Sequence, residues 1–342
     1  MKRTTIEDVA KHANVSKSTV SQYLNNRFDY MSSKTRKRIE QSIIELNYQP
    51  NILARGLKQK TSSTIGVIVA NILHVFSTQV IRAIEDYCNK RDFHVIVCNA
   101  EDDPVKEKRY IEMLRAKQVD GIIVFPTGGN VELYKEIKKS NYPVVFMDRL
   151  LPEVPVHSIL LDNELAAELA VDEFVKNGHR QIGLVSPPLE TKVTPRLERL
   201  EGFKKALEKH HIEYNPDYII DGKISSIKDK LKDFLALPNP PTAVLAINDR
   251  TLLEILKYAK ENDINIPETM ALIGIDDVSY ASIYNPTLTT IEQPTFEMGK
   301  KAVQVLFELM EGKNRKIEPE VHRFEPKIIV RESSEERLMQ NE

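Results

Sequence analysis

The sequence predicts an all-α N-terminal domain followed by an α/β core of two doubly wound, parallel-sheet subdomains. Three observations carry this. The first 60 residues show helical spacing of apolar positions and no strand-like alternation, and they hold twelve Lys/Arg against five Asp/Glu. From Thr64 onward, short β-rich runs alternate with amphipathic helical stretches. Those runs are apolar throughout, the pattern of parallel strands covered on both faces and joined by right-handed crossovers. Two successive sets of such units imply two subdomains.

In the head, TTIEDVAKHANV places Ile6, Val9, Ala10 and Ala13 at helical spacing. Thr5 is its N-cap, and Asp8 three positions later makes a weak capping box. Asn14-Val15 breaks the pattern, and Ser16 caps a second helix through KSTVSQYLN. A third helix fits KTRKRIEQSIIELN, with Ile39, Ile43, Ile44 and Leu46 expected on one face. Three short helices make a small core, marginal without a partner.

In the core the expected strands are TIGVIVA (64–70), FHVIVCNA (93–100), GIIVFP (121–126), YPVVFMD (142–148) and SILLD (158–162), then QIGLVSP (181–187), TAVLAIN (242–248) and MALIGIDD (270–277). A strand-rich segment, FEPKIIVRES (324–333), closes the ordered chain, and SEERLMQNE reads as a frayed end.

Charge is segregated. The first 60 residues carry a surplus of seven positive charges, whereas the remainder holds 36 basic and 45 acidic residues. A basic head on an acidic body suits a polyanion-binding module joined to a sensing or assembling one. No run approaches the ~20 apolar residues of a membrane helix, and the N-terminus lacks a secretory apolar core. Cys88 and Cys98 both sit in apolar runs as buried small hydrophobes. The chain is therefore expected in the cytoplasm, without membrane contact. There is no Walker or G-x-G-x-x-G loop, no G-x-S-x-G elbow and no H-x-x-x-H pair, so neither enzyme, cofactor nor metal is expected.

The segment VAKHANVSKSTVSQYLN (9–25) carries the sharpest signal. Ala10 allows close helix approach, Val15 plugs the turn, and Val20 and Leu24 hold the second helix to the core. Lys17, Ser18 and Gln22 then project from one face near that helix's N-terminus, the way a helix-turn-helix presents side chains to a major groove. Downstream, YQPNILARGLKQK (48–60) is too short for a helix stable alone. It sets Leu57 beside Arg55, Lys58 and Lys60, which suits a minor-groove wedge that orders on contact, or a solvated basic linker.

TIEDVAKHANVSKSTVSQYLN and KTRKRIEQSIIELNYQPNILARGLK resemble the DNA-binding head and hinge of the lactose-repressor/galactose-repressor family. The resemblance continues through GVIVANILHVFS, VDGIIVFP, GHRQIGLVS, RLEGFKKAL, AINDRTLLEILKYAKENDINIPETMALIGIDD and PTLTTIEQP. It implies a helix-turn-helix domain (1–47), a hinge helix (48–60) and a core similar to periplasmic sugar-binding proteins (61–332), with a flexible tail (333–342). The N-subdomain is expected at about 61–161 and 292–323, and the C-subdomain at about 162–291 and 324–332, linked by three crossovers around a cleft.

The DNA-contacting set it implies is Thr5, Ser16, Lys17, Ser18, Thr19, Ser21, Gln22, Asn25 and Lys34 in the head, with Asn51, Ala54, Leu57 and Lys58 in the hinge. Most relatives carry Arg where Gln22 stands; Gln pairs instead with adenine N6/N7. The turn NNRFDYMS also looks one residue longer than in the lactose repressor.

In the core, Phe76, Asp148, Arg199, Asn248, Asp276 and Gln293 match ligand-contact positions, while Ser77 replaces the second of a frequent aromatic pair. Arg149, Lys192 and Arg196 add cations close by in sequence, which predicts an anionic effector, a sugar acid or sugar phosphate.

The expected molecule is a homodimeric, nucleoid-associated bacterial regulator, a repressor on a near-palindromic operator in double-stranded DNA. Too few apolar residues follow Arg331 for a tetramer-forming heptad, and the dimer interface is expected near STQVIRAIEDY and KEKRYIEMLRA. Alternatives are a global regulator with a phosphorylated carrier protein as corepressor, or a sugar-binding protein or cleft enzyme with a vestigial head.

Overall fold

A computed structural model describes residues 4–29, 31–49, 62–312 and 318–335. The head and the body from Ser63 onward are separate compact units.

The head is three helices: α1 (Ile6–His12), α2 (Lys17–Leu24) and α3 (Ser33–Glu45). Each starts at a hydroxyl that satisfies an otherwise unpaired backbone N–H. Thr5 Oγ1 accepts from Asp8 N while Thr5 N donates to the Asp8 carboxylate, the reciprocal box the sequence announces. Ser16 Oγ accepts from Thr19 N, and Ser32 Oγ from Thr35 N. Val9, Ala10, Ala13, Val20, Ile39 and Tyr48 form the buried core. Ile44 corrects the expected face of α3: it is 73% exposed. Five positions beyond Ile39 it has turned about 140° away, whereas Ser42 at the third position is buried instead.

The body opens with β1 (Thr64–Val69), α4 (Val75–Asn89), β2 (His94–Asn99), α5 (Pro104–Ala116), β3 (Gly121–Val124), α6 (Val131–Lys139), β4 (Val144–Met147) and β5 (Ser158–Leu161). It continues with α7 (Asn163–Lys176), β6 (Ile182–Ser186), α8 (Thr194–Lys209), β7 (Ile219–Asp221), α9 (Ile227–Leu235), β8 (Ala243–Ala246), α10 (Asp249–Glu261), β9 (Ala271–Ile275) and β10 (Thr289–Glu292). Finally, α11 (Thr295–Met310) and β11 (Val321–Phe324) return to the first layer, and β12 (Lys327–Ile329) returns to the second.

Among the described residues there are two sheets, β11-β5-β4-β3-β1-β2 and β12-β10-β9-β8-β6-β7. Every pairing is parallel except β10 with β12. The chain passes between sheets at Asp162, at Gln293-Pro294 and at Glu325-Pro326.

Two boundaries fall one residue from those read in the sequence. Glu292 still pairs with Lys327 in the second sheet, and Phe324 with Leu161 in the first. The first two residues of the expected flexible tail are instead held in place. Ser333 and Ser334 are fully buried in a 3₁₀ turn, where Ser333 Oγ donates to Leu272 O and accepts from Thr289 N. These bonds satisfy backbone groups of β9 and β10 at one end of the second sheet, so small hydroxyls, not apolar bulk, hold this segment down.

The apolar side of α4 packs on α11, where Gly299 admits the approach: a Cβ there would lie 2.8 Å from Ala83 Cβ. Cys88 and Cys98 are buried free thiols, and burial pushes the Cys88 thiol up to about 12. No helix among the described residues is long and apolar enough to cross a membrane.

Candidate effector cleft and DNA-reading face

Within the body the expected effector residues converge at the carboxyl ends of the strands, where doubly wound folds bind ligands. Phe76, Asp148, Arg149, Arg196, Arg199, Asn248, Asp276 and Gln293 line one cavity together with Asn71, His74, Ser77 and Phe125. The side chains close in around a void of only about 60 Å³. A larger recess of about 1060 Å³, lined by Lys260, Asp263, Glu268 and Tyr284, lies at the opposite ends of β9 and β10 and gathers none of these residues.

Two aspartates end strands in left-handed backbone, Asp148 at φ +68° and Asp276 at φ +93°. Such conformations cost ~1–3 kcal/mol each and persist where the surroundings over-determine them. The Asp276 side chain is buried and that of Asp148 is half-buried. Burial pushes the Asp148 carboxyl up, against the pull of Arg149, Arg199 and His74. Burial, with Asp249 alongside, lifts Asp276 to about 7. Gln293 Nε2 donates to Asp276 Oδ1 at 2.5 Å, leaving Gln293 Oε1 buried without a partner.

Three guanidiniums face these groups. Arg199 donates to Asn163 Oδ1 at 2.9 Å and to Ile247 O at 2.5 Å. Arg149 donates to Asp102 Oδ1 at 2.7 Å, while its Nε is buried without a hydrogen-bond partner, 3.7 Å from Asp148 Oδ2. Arg196 donates to Pro188 O and Thr191 Oγ1, and burial lowers its pKa, with Arg149 adding to the effect. Lys192 must be removed from the site. It sits exposed at φ +49° in the turn that Arg196 ties down, outside the cavity lining.

The structure adds residues that the sequence did not single out. His74 Nδ1 meets Asp249 Oδ1 at 2.5 Å, and Val75 N donates to Asp249 Oδ2 at 2.8 Å, so the start of α4 is bound across the cleft to the start of α10. Burial would raise the Asp249 carboxyl, but the His74 and backbone hydrogen bonds outweigh it and hold the pKa low. On the other lip Leu150 N donates to Thr194 Oγ1 at 2.9 Å. Asn248 caps α10 through Thr251 N. His74 stands two residues before Phe76, and Asp249 follows Asn248; adjacency to expected site residues was the only signal available.

In the head, Lys17, Ser18 and Gln22 are exposed on α2, with Ser18 and Gln22 one turn apart on one face. Lys34 is also exposed. Thr5, Ser16 and Asn25 do local work: Thr5 and Ser16 cap helices, and Asn25 Nδ2 donates to Ser21 O. Thr19 and Ser21 are half-buried, with Thr19 Oγ1 2.8 Å from Ser16 Oγ. The turn after α2 is held by Phe28, edge-on to Tyr23 at 5.8 Å and beneath the Arg36 guanidinium at 4.0 Å. Asn51, Ala54, Leu57 and Lys58 lie outside the described residues.

Residues 5–51 match the family described as bacterial regulatory proteins, lacI family, and residues 171–334 match a periplasmic binding protein-like domain. The chain is 47% identical over 333 residues to a probable HTH-type transcriptional regulator, EndR, of Paenibacillus polymyxa, covering 96% of this chain and 98% of the relative. Among solved structures it resembles the lac repressor dimer bound to operator and the anti-inducer ONPF, with TM-score 0.84, 28% identity and coverage of 98% and 100%. It also resembles the complex of the transcriptional regulator CelR with cellobiose, with TM-score 0.72, 26% identity and coverage of 97% and 100%.

Proposed function

Because this chain belongs to the lacI family of bacterial regulatory proteins and is a DNA-binding transcription regulator with an effector-binding body, we propose that it represses a carbohydrate operon under the control of an anionic sugar derivative. The class of effector is a sugar acid or a sugar phosphate. One observation carries this: three buried or half-buried guanidiniums, Arg149, Arg196 and Arg199, share a small void with two aspartates, one of which is held up to about 7. Asp102 offsets Arg149 only from the rim, where its side chain is 36% exposed. An anion would offset the remaining positive charge, and guanidinium forks fit carboxylate and phosphate oxygens. Asp148, Asn248 and Asp276 supply the hydroxyl partners. The cellobiose complex of CelR supports a carbohydrate class for a cleft of this fold.

The working unit is a dimer on a near-palindromic operator, because one head of this size offers too few contacts for specific binding. The lac repressor dimer on its operator supports this reading. The apolar side of α4 packs on α11, which leaves its outward side and the neighbouring α5 for the partner. Exposed apolar side chains at Ile72, Leu73, Val97 and Val105, on the loop, edge strand and helix beside these segments, support an interface there. Effector closure of the cleft would shift the two subdomains and so change how the heads are presented.

Titration calorimetry with matched pairs tests the effector class: gluconate against glucose, and ketodeoxygluconate against deoxyglucose. The anion should bind about tenfold or more tightly, with the advantage shrinking as salt rises. Equal affinity of the neutral partner at low and moderate salt rejects the proposal.

A further inference from the structure

A second cavity adjoins the effector cleft. It measures about 270 Å³ and lies among Gln79 and Arg82 of α4, Asp277 and Glu292 of the second subdomain, and Thr295 and Phe296 at the start of α11. Asp276 and Gln293 line both spaces, so these two side chains form the partition between them. The front void, about 60 Å³, has room for about two waters, far below the ~300 Å³ at which small-molecule sites begin. Together the two spaces reach that size.

The partition is chemically unfinished. Gln293 is 6% exposed, its amide nitrogen is held by Asp276, and its Oε1 receives no hydrogen bond. A buried carbonyl without a donor is costly and rare, and it calls for an occupant. What it lacks is a donor, the role of a ligand hydroxyl. The far cavity has the same bias. Asp276, Asp277 and Glu292 outnumber Arg82, and Asp277 is already held by Arg331 at 3.0 Å and Thr290 Oγ1 at 2.6 Å. Such a lining is richer in acceptors than in donors, and it offers a second anion no cation but Arg82. Phe296, 48% exposed, adds aromatic surface that can cover the CH face of a sugar ring.

We infer that the effector spans both spaces as a glycosylated sugar acid. Its acid unit lies with Arg149, Arg196 and Arg199. A hydroxyl is donated to Gln293 Oε1 at the partition, and a neutral glycosyl unit lies beside Phe296. This rests on the anionic reading of the cleft, and it adds a second subsite of opposite electrostatic character.

The test is calorimetry of the full-length protein with glucose, gluconate, cellobiose, and the bionic acids cellobionate, maltobionate and lactobionate. At least one bionic acid should bind about tenfold more tightly than gluconate. Phe296→Ala, a substitution at a half-exposed position, should remove that advantage and leave gluconate binding unchanged. Bionic acids that bind no better than gluconate, or an advantage that survives Phe296→Ala, overturn the second subsite. If cellobiose beats glucose while gluconate does not, the anionic reading fails and the second subsite stands. Silence from every probe rejects both.

Discussion

Replacing Asp276 by Asn should remove a loss of stability that the ligand-free protein otherwise suffers as pH rises. Burial and Asp249 hold the Asp276 carboxyl at about 7, whereas in the unfolded chain it titrates near ~3.9. Between those values the folded protein binds more protons than the unfolded one, so this group's contribution to stability falls as pH rises through the window. A shift of about three units at ~1.4 kcal/mol each makes ionised Asp276 cost about 4 kcal/mol, fully present above pH ~7. About 1.5 kcal/mol of that is already present at pH ~5, because the unfolded carboxyl is ionised there. The Asn side chain cannot ionise. It retains a carbonyl for Gln293 Nε2 and loses the acceptor that faces Asp249 N at 3.3 Å, a roughly pH-independent loss of about 1 kcal/mol. Urea unfolding of both proteins from pH ~5 to pH ~8 should therefore show the variant gaining about 3 kcal/mol on the parent across that range. Parallel stability curves would refute the assignment of a buried, uncompensated carboxylate to this position.

His74→Ala removes the charge-assisted bond to Asp249 across the cleft, worth ~1.5–3 kcal/mol; small-angle scattering should show a wider core, and an unchanged profile would remove the latch. Gly202→Ala would place a Cβ 2.4 Å from Glu164 O and 2.5 Å from Glu164 Cα, forcing α7 and α8 apart. We expect a loss of about 3 kcal/mol and a clearly lower Tm, since backbone cannot yield as a side-chain tip does; a neutral substitution would contradict the packing. Gln22→Ala should relax preference at one base position per half-site by ~1–3 kcal/mol, and selection from random operators would reject that role if the base profile stays the same.

The sequence by itself determined the elements and where the site would be. Thr5 with Asp8, and Ser16 before KSTV, announce helix starts, because a cap is a contact over three residues. The apolar runs announce strands, and a polar residue ending a run, as at Asp148, Asn248 and Asp276, falls at the mouth of a parallel sheet by topology alone. Ile44 misled because an apolar count over a short window ignores the helical angle.

Only the tertiary structure decided which side chains share the cavity. Lys192 and Arg196 are four residues apart, yet one is exposed at the tip of a turn and the other is folded inward by bonds to Pro188 and Thr191. His74 and Asp249 meet across 175 positions, and Ser333 finds Leu272 across 61. Helical period, caps and strand runs are local and repeat along the chain, so they leave a pattern in it. A hydrogen bond between distant segments leaves none. It depends on where two independently formed elements bring single atoms, and that is fixed by packing.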